Sequence, residues 1–163
     1  MSAERYCLDT SALIQPWNTY YSMDLCPEYW DVLDGLAREG VVFCTQDVRR
    51  EIEKQDDTLF AWVKERPFLF REVTAEVQTN LRSILESHRE LVDTKKDRSM
   101  ADPWVVAHAM AEAATVVTKE GLAPRRIKIP DVCRALGVRC IDDFQFLREL
   151  GVKFSARLWP TPR

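Results

Sequence analysis

A chain of 163 residues suits one domain with a real core, and 46% hydrophobic with 30% charged residues is ordinary for a soluble globular protein. No apolar run approaches a membrane span, the first residues lack a signal-peptide core, and the five cysteines form no CxxC pair; together these exclude a spanning helix, a disulfide framework and structural zinc. A net charge of -3 sits badly with nucleic-acid binding unless positive charge is gathered locally. Three such clusters exist: Arg49-Arg50, Lys95-Lys96-Asp97-Arg98, and Lys119 with Arg125, Arg126 and Lys128.

The first strand is predicted at 5–8 and ends at Asp9, where Thr10-Ser11-Ala12-Leu13-Ile14 opens a helix. Asp9 itself is a candidate N-cap, but Thr10 or Ser11 could take that task and free the carboxylate. Tyr29, Trp30, Leu33, Leu36 and Ala37 make a helical stripe over 28–39, with Gly40 as the stop. Strand 41–44 follows, then a helix starting near Thr45 with Val48 and Ile52 facing the core. Glu51 lies on one flank of that face and Arg49 on the other, so position alone does not single out the glutamate. Residues 53–74, with Trp62 and the Pro67-Phe68-Leu69-Phe70 break, read as extra helix and loop. A further stripe from 75 to 91 includes His88, which makes it a packing histidine rather than a ligand.

Residues 92–101 read as a polar connection, and Asp102 before Pro103 reads as the N-cap of the next helix. A strand at 115–118 ends in Thr118, followed by Lys119 and Glu120. Pro130 and Gly137 bracket a short helix, and a strand at 138–141 precedes a helix capped by Asp142 or Asp143 and ended by Gly151. A last strand candidate is 152–154. Cys7, Cys44 and Cys140 fall in strands, where a thiol acts as a small hydrophobe, and the expected protein is reduced and cytoplasmic. This alternation predicts a three-layer α/β/α domain with a mostly parallel sheet over 1–154, followed by an irregular tail at 155–163.

Asp9, Glu51, Asp102 and Glu120 therefore stand at strand ends or helix starts. In an open α/β sheet the loops after the strands converge on one crevice, where ligands bind. Carboxylates gathered there repel one another unless a cation neutralises them, and hard oxygen ligands favour Mg²⁺ or Mn²⁺.

Leu8-Asp9-Thr10-Ser11-Ala12-Leu13-Ile14, Val48-Arg49-Arg50-Glu51-Ile52, Ala101-Asp102-Pro103-Trp104-Val105-Val106-Ala107 and Val117-Thr118-Lys119-Glu120, in that order, resemble the four acidic motifs of the PIN-domain nucleases. The likeness spans nearly the whole chain and points to a divergent branch near the VapC-like ribonucleases of toxin–antitoxin pairs. Many PIN toxins carry Asp at the fourth position, with a short aromatic segment after it; this chain has Glu120-Gly121 and a basic loop instead.

The resemblance implies a metal-dependent ribonuclease, an endonuclease on single-stranded or loop RNA. Asp9, Asp102 and Glu120 would ligate metal, with Glu51 as a fourth catalytic carboxylate. Thr10, Ser11 and Thr118 would orient carboxylates or water, and Lys119, Arg126 and Lys128 are candidates for phosphate contact. It also implies an antitoxin partner, for which the Trp62, Phe68 and Phe70 region and the Leu158-Trp159 tail offer docking surface; a homodimer is a further candidate assembly. The competing reading is a non-catalytic PIN-like module that binds RNA or protein. An aspartyl phosphatase is disfavoured because Ser11 stands where that chemistry needs a second aspartate, and no glycine-rich phosphate loop is present.

Overall fold

Among the described residues, five short parallel strands form one sheet in the order β3-β2-β1-β4-β5. They are β1 (Tyr6–Leu8), β2 (Val42–Thr45), β3 (Phe70–Arg71), β4 (Thr115–Val117) and β5 (Cys140–Ile141). The computed structural model describes residues 3–88, 102–121 and 127–158, with Asp102 placed by its backbone alone. At the centre, Tyr6 of β1 lies opposite Val42 and Thr115, and Cys7 lies opposite Phe43 and Val116. A central parallel strand is covered on both faces, which is why Tyr6, Cys7 and Leu8 are all buried without alternation.

Eight helices flank the sheet among the described residues: α1 (Ser11–Asn18), α2 (Pro27–Arg38), α3 (Gln46–Gln55), α4 (Asp57–Lys64), α5 (Ala75–Ser87), α6 (Asp102–Glu112), α7 (Ile129–Leu136) and α8 (Asp143–Glu149). Their starts follow local chemistry. Thr45 Oγ1 accepts from the Val48 N–H at 3.1 Å to begin α3, and Asp142 Oδ1 accepts from the Gln145 N–H at 2.8 Å to begin α8. Gly137 ends α7 at φ 68°, a left-handed conformation that glycine adopts without steric cost. Helix α6 packs against β1, β2 and β4, and α5 lies along α6. This is the three-layer α/β/α, PIN-like fold, with a sheet that is wholly parallel.

Several local expectations change. β3 falls where the sequence pattern predicts loop, because two residues after a 3₁₀ turn at Pro67–Leu69 carry no recognisable strand period. Residues 53–74 hold the end of α3 and the separate helix α4, whose N-cap Asp56 accepts from the Thr58 and Leu59 N–H groups. Residues 152–154 form no strand; the Val152 N–H returns to the Leu147 carbonyl to close α8. His88 sits at the C-cap of α5 rather than within its stripe, and Leu91 lies outside the described residues, as do Lys95 to Arg98.

Trp30 of α2 anchors an aromatic cluster built with Trp17 of α1 and Trp62 of α4. It is 1% exposed and meets Trp17, Tyr29 and Trp62 edge-on, at ring separations of 4.8, 5.0 and 5.1 Å. Of the expected docking surface, Phe70 is buried, while Trp62 and Phe68 are half-buried with the guanidinium groups of Arg66 and Arg38 over their rings. Leu158 is fully exposed, and Trp159 lies outside the described residues. All five cysteines are free thiols. Among the described residues, no helix is long and apolar enough to cross a membrane.

Candidate functional site

The chain runs outward from β1 to β2 and β3, then returns across β1 to lay down β4 and β5. The order of strands thus reverses between β1 and β4, the place where open parallel sheets bind ligands outside their carboxyl ends. Asp9 leaves β1 at this point, and Thr118, Lys119 and Glu120 leave β4. The Asp9 N–H still reaches the Val117 carbonyl at 2.9 Å, which fixes the two loops side by side.

Asp9 is 2% exposed. Its Oδ2 accepts from the Ser11 hydroxyl at 2.8 Å and the Thr118 hydroxyl at 3.0 Å. Its Oδ1 is buried with no hydrogen-bond partner among the described residues. Ser11 and Thr118 in turn accept from the Lys119 and Glu120 N–H groups, at 3.0 and 3.1 Å. Thr10, the N-cap of α1, makes no side-chain cap hydrogen bond, and the Ser11 and Thr118 hydroxyls are turned onto the Asp9 carboxylate.

Glu51 comes from α3. The Thr10 hydroxyl donates to its Oε2 at 2.5 Å, so this glutamate faces the turn after β1, while Arg49 lies toward the Phe60 ring at 5.3 Å. Glu120 Oε2 accepts from the Ile129 N–H at 3.1 Å, at the electropositive start of α7. Asp102 is the first residue of α6, the helix lying on β1, β2 and β4; its side chain is outside the described atoms.

Burial pushes the Asp9 carboxyl above its ordinary value of 3.8. The Ser11 and Thr118 hydroxyls and the Thr10 backbone pull it down, and the Glu51 charge pushes it up again. A buried carboxylate with one orphaned oxygen is an exception that calls for a reason, and a hard divalent cation on Oδ1 would supply both the missing partner and the missing positive charge. In that respect the residues fit Mg²⁺ or Mn²⁺. Among the described residues, however, no three His, Cys, Asp or Glu side chains stand close enough together to hold an ion.

The raised value has a signed consequence for the metal-free protein. Stability at a carboxyl whose folded value is raised is present below the unfolded value and is lost as pH rises through the folded one. Replacing Asp9 by asparagine should therefore stabilise the metal-free chain at pH 7, and the gap in Tm should close as pH falls toward 4. Thermal scans of both proteins in EDTA between those limits check this; a gap that widens on acidification would contradict it.

Lys119 was a candidate for phosphate contact. Its side chain is 12% exposed and its Nζ lies 2.7 Å from Asp143 Oδ1. Lys128 immediately precedes α7, where its N–H donates to Asp131 at 3.0 Å, and Arg126 lies outside the described residues. Asp143, beyond its cap position, was not anticipated near the site. Val117 pairs with Ile141, and two further steps of the same register set Lys119 beside Asp143. Only knowledge of that pairing could have revealed the contact.

Comparison with solved structures finds VapBC2 from Rickettsia felis, solved bound to a DNA fragment from its promoter. The match has a TM-score of 0.52 at 18% sequence identity and covers 84% of this chain and 97% of that one, a likeness of fold. No curated protein matches. A family model does match, over residues 6–154, and the chain belongs to that family, the domain of unknown function DUF4411.

Proposed function

We propose that this protein is a divalent-metal-dependent ribonuclease, an endonuclease cutting single-stranded or loop RNA, and the toxin half of a toxin–antitoxin pair acting in the cytoplasm. The single observation that carries the reading is Asp9: a buried carboxylate at the sheet's switch point with Oδ2 saturated by hydroxyls and Oδ1 without a partner. The fold shared with VapBC2 and the order of the four acidic motifs support it.

In this reading Asp9 would hold the ion through Oδ1, with Asp102 and Glu120 as the further ligands. When bound, Mg²⁺ or Mn²⁺ lowers the pKa of a coordinated water and offsets charge on the scissile phosphate. The rest falls to the chain. Ser11 and Thr118 keep Asp9 in one rotamer, and Thr10 aims Glu51 at the crevice, as outer-shell partners do for metal ligands. An antitoxin would most simply block this centre by presenting an arginine or lysine to Asp9 and Asp102.

The purified chain should cut unstructured RNA in Mn²⁺, and EDTA should stop the reaction. The competing reading is a PIN-like module that binds RNA or protein without cutting. RNA that is retained but never shortened in Mn²⁺ would establish it and end the nuclease proposal.

A further inference from the structure

Beyond the last sheet bond of β4, from the Thr118 N–H to the Ile141 carbonyl at 3.0 Å, the chain leaves the ladder and must be held by other means. The Lys119 side chain crosses to the end of the neighbouring strand and pairs with Asp143, whose carboxylate side chain is 1% exposed. Tyr20 donates its hydroxyl to Asp143 Oδ2 at 2.6 Å, and the Phe144 N–H donates to Oδ1 at 3.1 Å. The Lys119 ammonium also lies 4.3 Å from the centre of the Phe144 ring and 5.5 Å from that of Tyr20. A charge so enclosed and so fully partnered is not poised to leave for a passing phosphate, because withdrawal would strand Asp143 in the interior.

The same residue touches the acidic centre through its backbone. The Lys119 N–H donates to Ser11 Oγ, and that hydroxyl donates to Asp9; the next N–H, from Glu120, donates to Thr118 Oγ1, which also donates to Asp9. We propose that Lys119 is a positioning residue: its buried pair with Asp143 and Tyr20 latches the Thr118–Glu120 segment so that both hydroxyls stay on Asp9 and Glu120 stays at the crevice. The proposal rests on the reading of Asp9 as the metal-binding carboxylate, but the latch itself can be tested without metal.

Lys119→Met alone leaves Asp143 buried without its cation and can fail to fold, so the informative variant is Lys119→Met/Asp143→Asn, with Lys119→Arg as the conservative control. In EDTA, amide exchange followed by NMR should be about tenfold faster at Lys119 and Glu120 in the double variant, and unchanged at Val116, whose N–H is bonded to Arg139 within the sheet. Calorimetry with Mn²⁺ should show affinity weakened by about 10-fold or more, with kcat on RNA lowered and KM little changed. Lys119→Arg should behave as wild type in all three.

Unaltered exchange at Lys119 and Glu120 in a folded double variant would overturn the latch. So would a double variant in which KM alone rises, with less dependence on salt, since that is the signature of a phosphate contact. If the wild-type protein binds no Mn²⁺, the nuclease reading falls and amide exchange still decides the latch.

Discussion

If Asp9 is the metal-binding carboxylate of the proposed nuclease, Asp9→Asn is expected to abolish Mn²⁺-dependent RNA cleavage, a loss of about 10³-fold or more, because no neighbouring group could replace it. The same substitution should leave the fold intact. Asparagine keeps one oxygen for the Ser11 and Thr118 hydroxyls while removing a buried charge that burial itself disfavours. At neutral pH in EDTA the variant should be the more stable of the two, with the higher Tm. Mn²⁺ should raise the Tm of the wild-type protein and not of the variant, by linkage to the folded state. A variant that cuts RNA at the wild-type rate, or that melts well below it, would remove Asp9 from the centre of the mechanism.

Trp30→Ala should be the most destabilising single change outside the acidic centre, costing about 3–5 kcal/mol. Trp30 is 1% exposed, packs edge-on against three rings and donates its Nε1–H to the Tyr21 carbonyl at 2.6 Å. Truncation opens a cavity among Trp17, Tyr29 and Trp62 and leaves that carbonyl without its donor, and the two losses add. Denaturant unfolding with a common m-value would measure it, and a loss under about 1 kcal/mol would mean that the cluster repacks, contrary to its geometry. Trp30→Phe should fall between, because it keeps ring packing and loses only the indole N–H and some volume.

The strands that carry the site could be read from residue types alone. Tyr6-Cys7-Leu8, Val42-Phe43-Cys44 and Thr115-Val116-Val117 are apolar or β-branched throughout, as buried parallel strands must be. Phe70–Arg71 could not be read so, since its pairing to Cys44 and Thr45 is a tertiary fact imposed on two residues behind a proline turn. Caps were legible where a short side chain serves its own helix, as at Thr45 and Asp142. At Thr10 and Ser11 the same residue types turn away from their helix to serve Glu51 and Asp9, a choice made by partners distant in the chain. The contact of Lys119 with Asp143 depends on strand register, which no local pattern encodes. The sequence thus announces the carboxylate on the central strand and conceals the network that aims it.

The position of β1 between β2 and β4 also constrains how the protein is made. Asp9 is synthesised before β4, and the hydroxyl of Thr118 that helps hold it lies 109 residues further along. At typical rates of translation roughly 5–20 s separate the two as they leave the ribosome. Throughout that interval the nascent chain can pair β1 on one edge only, and the switch point that would host the chemistry does not exist. A product truncated before β4 therefore carries Asp9, Thr10, Ser11 and Glu51 but no assembled centre, so the chemistry proposed for that centre would become possible only once β4 has been made.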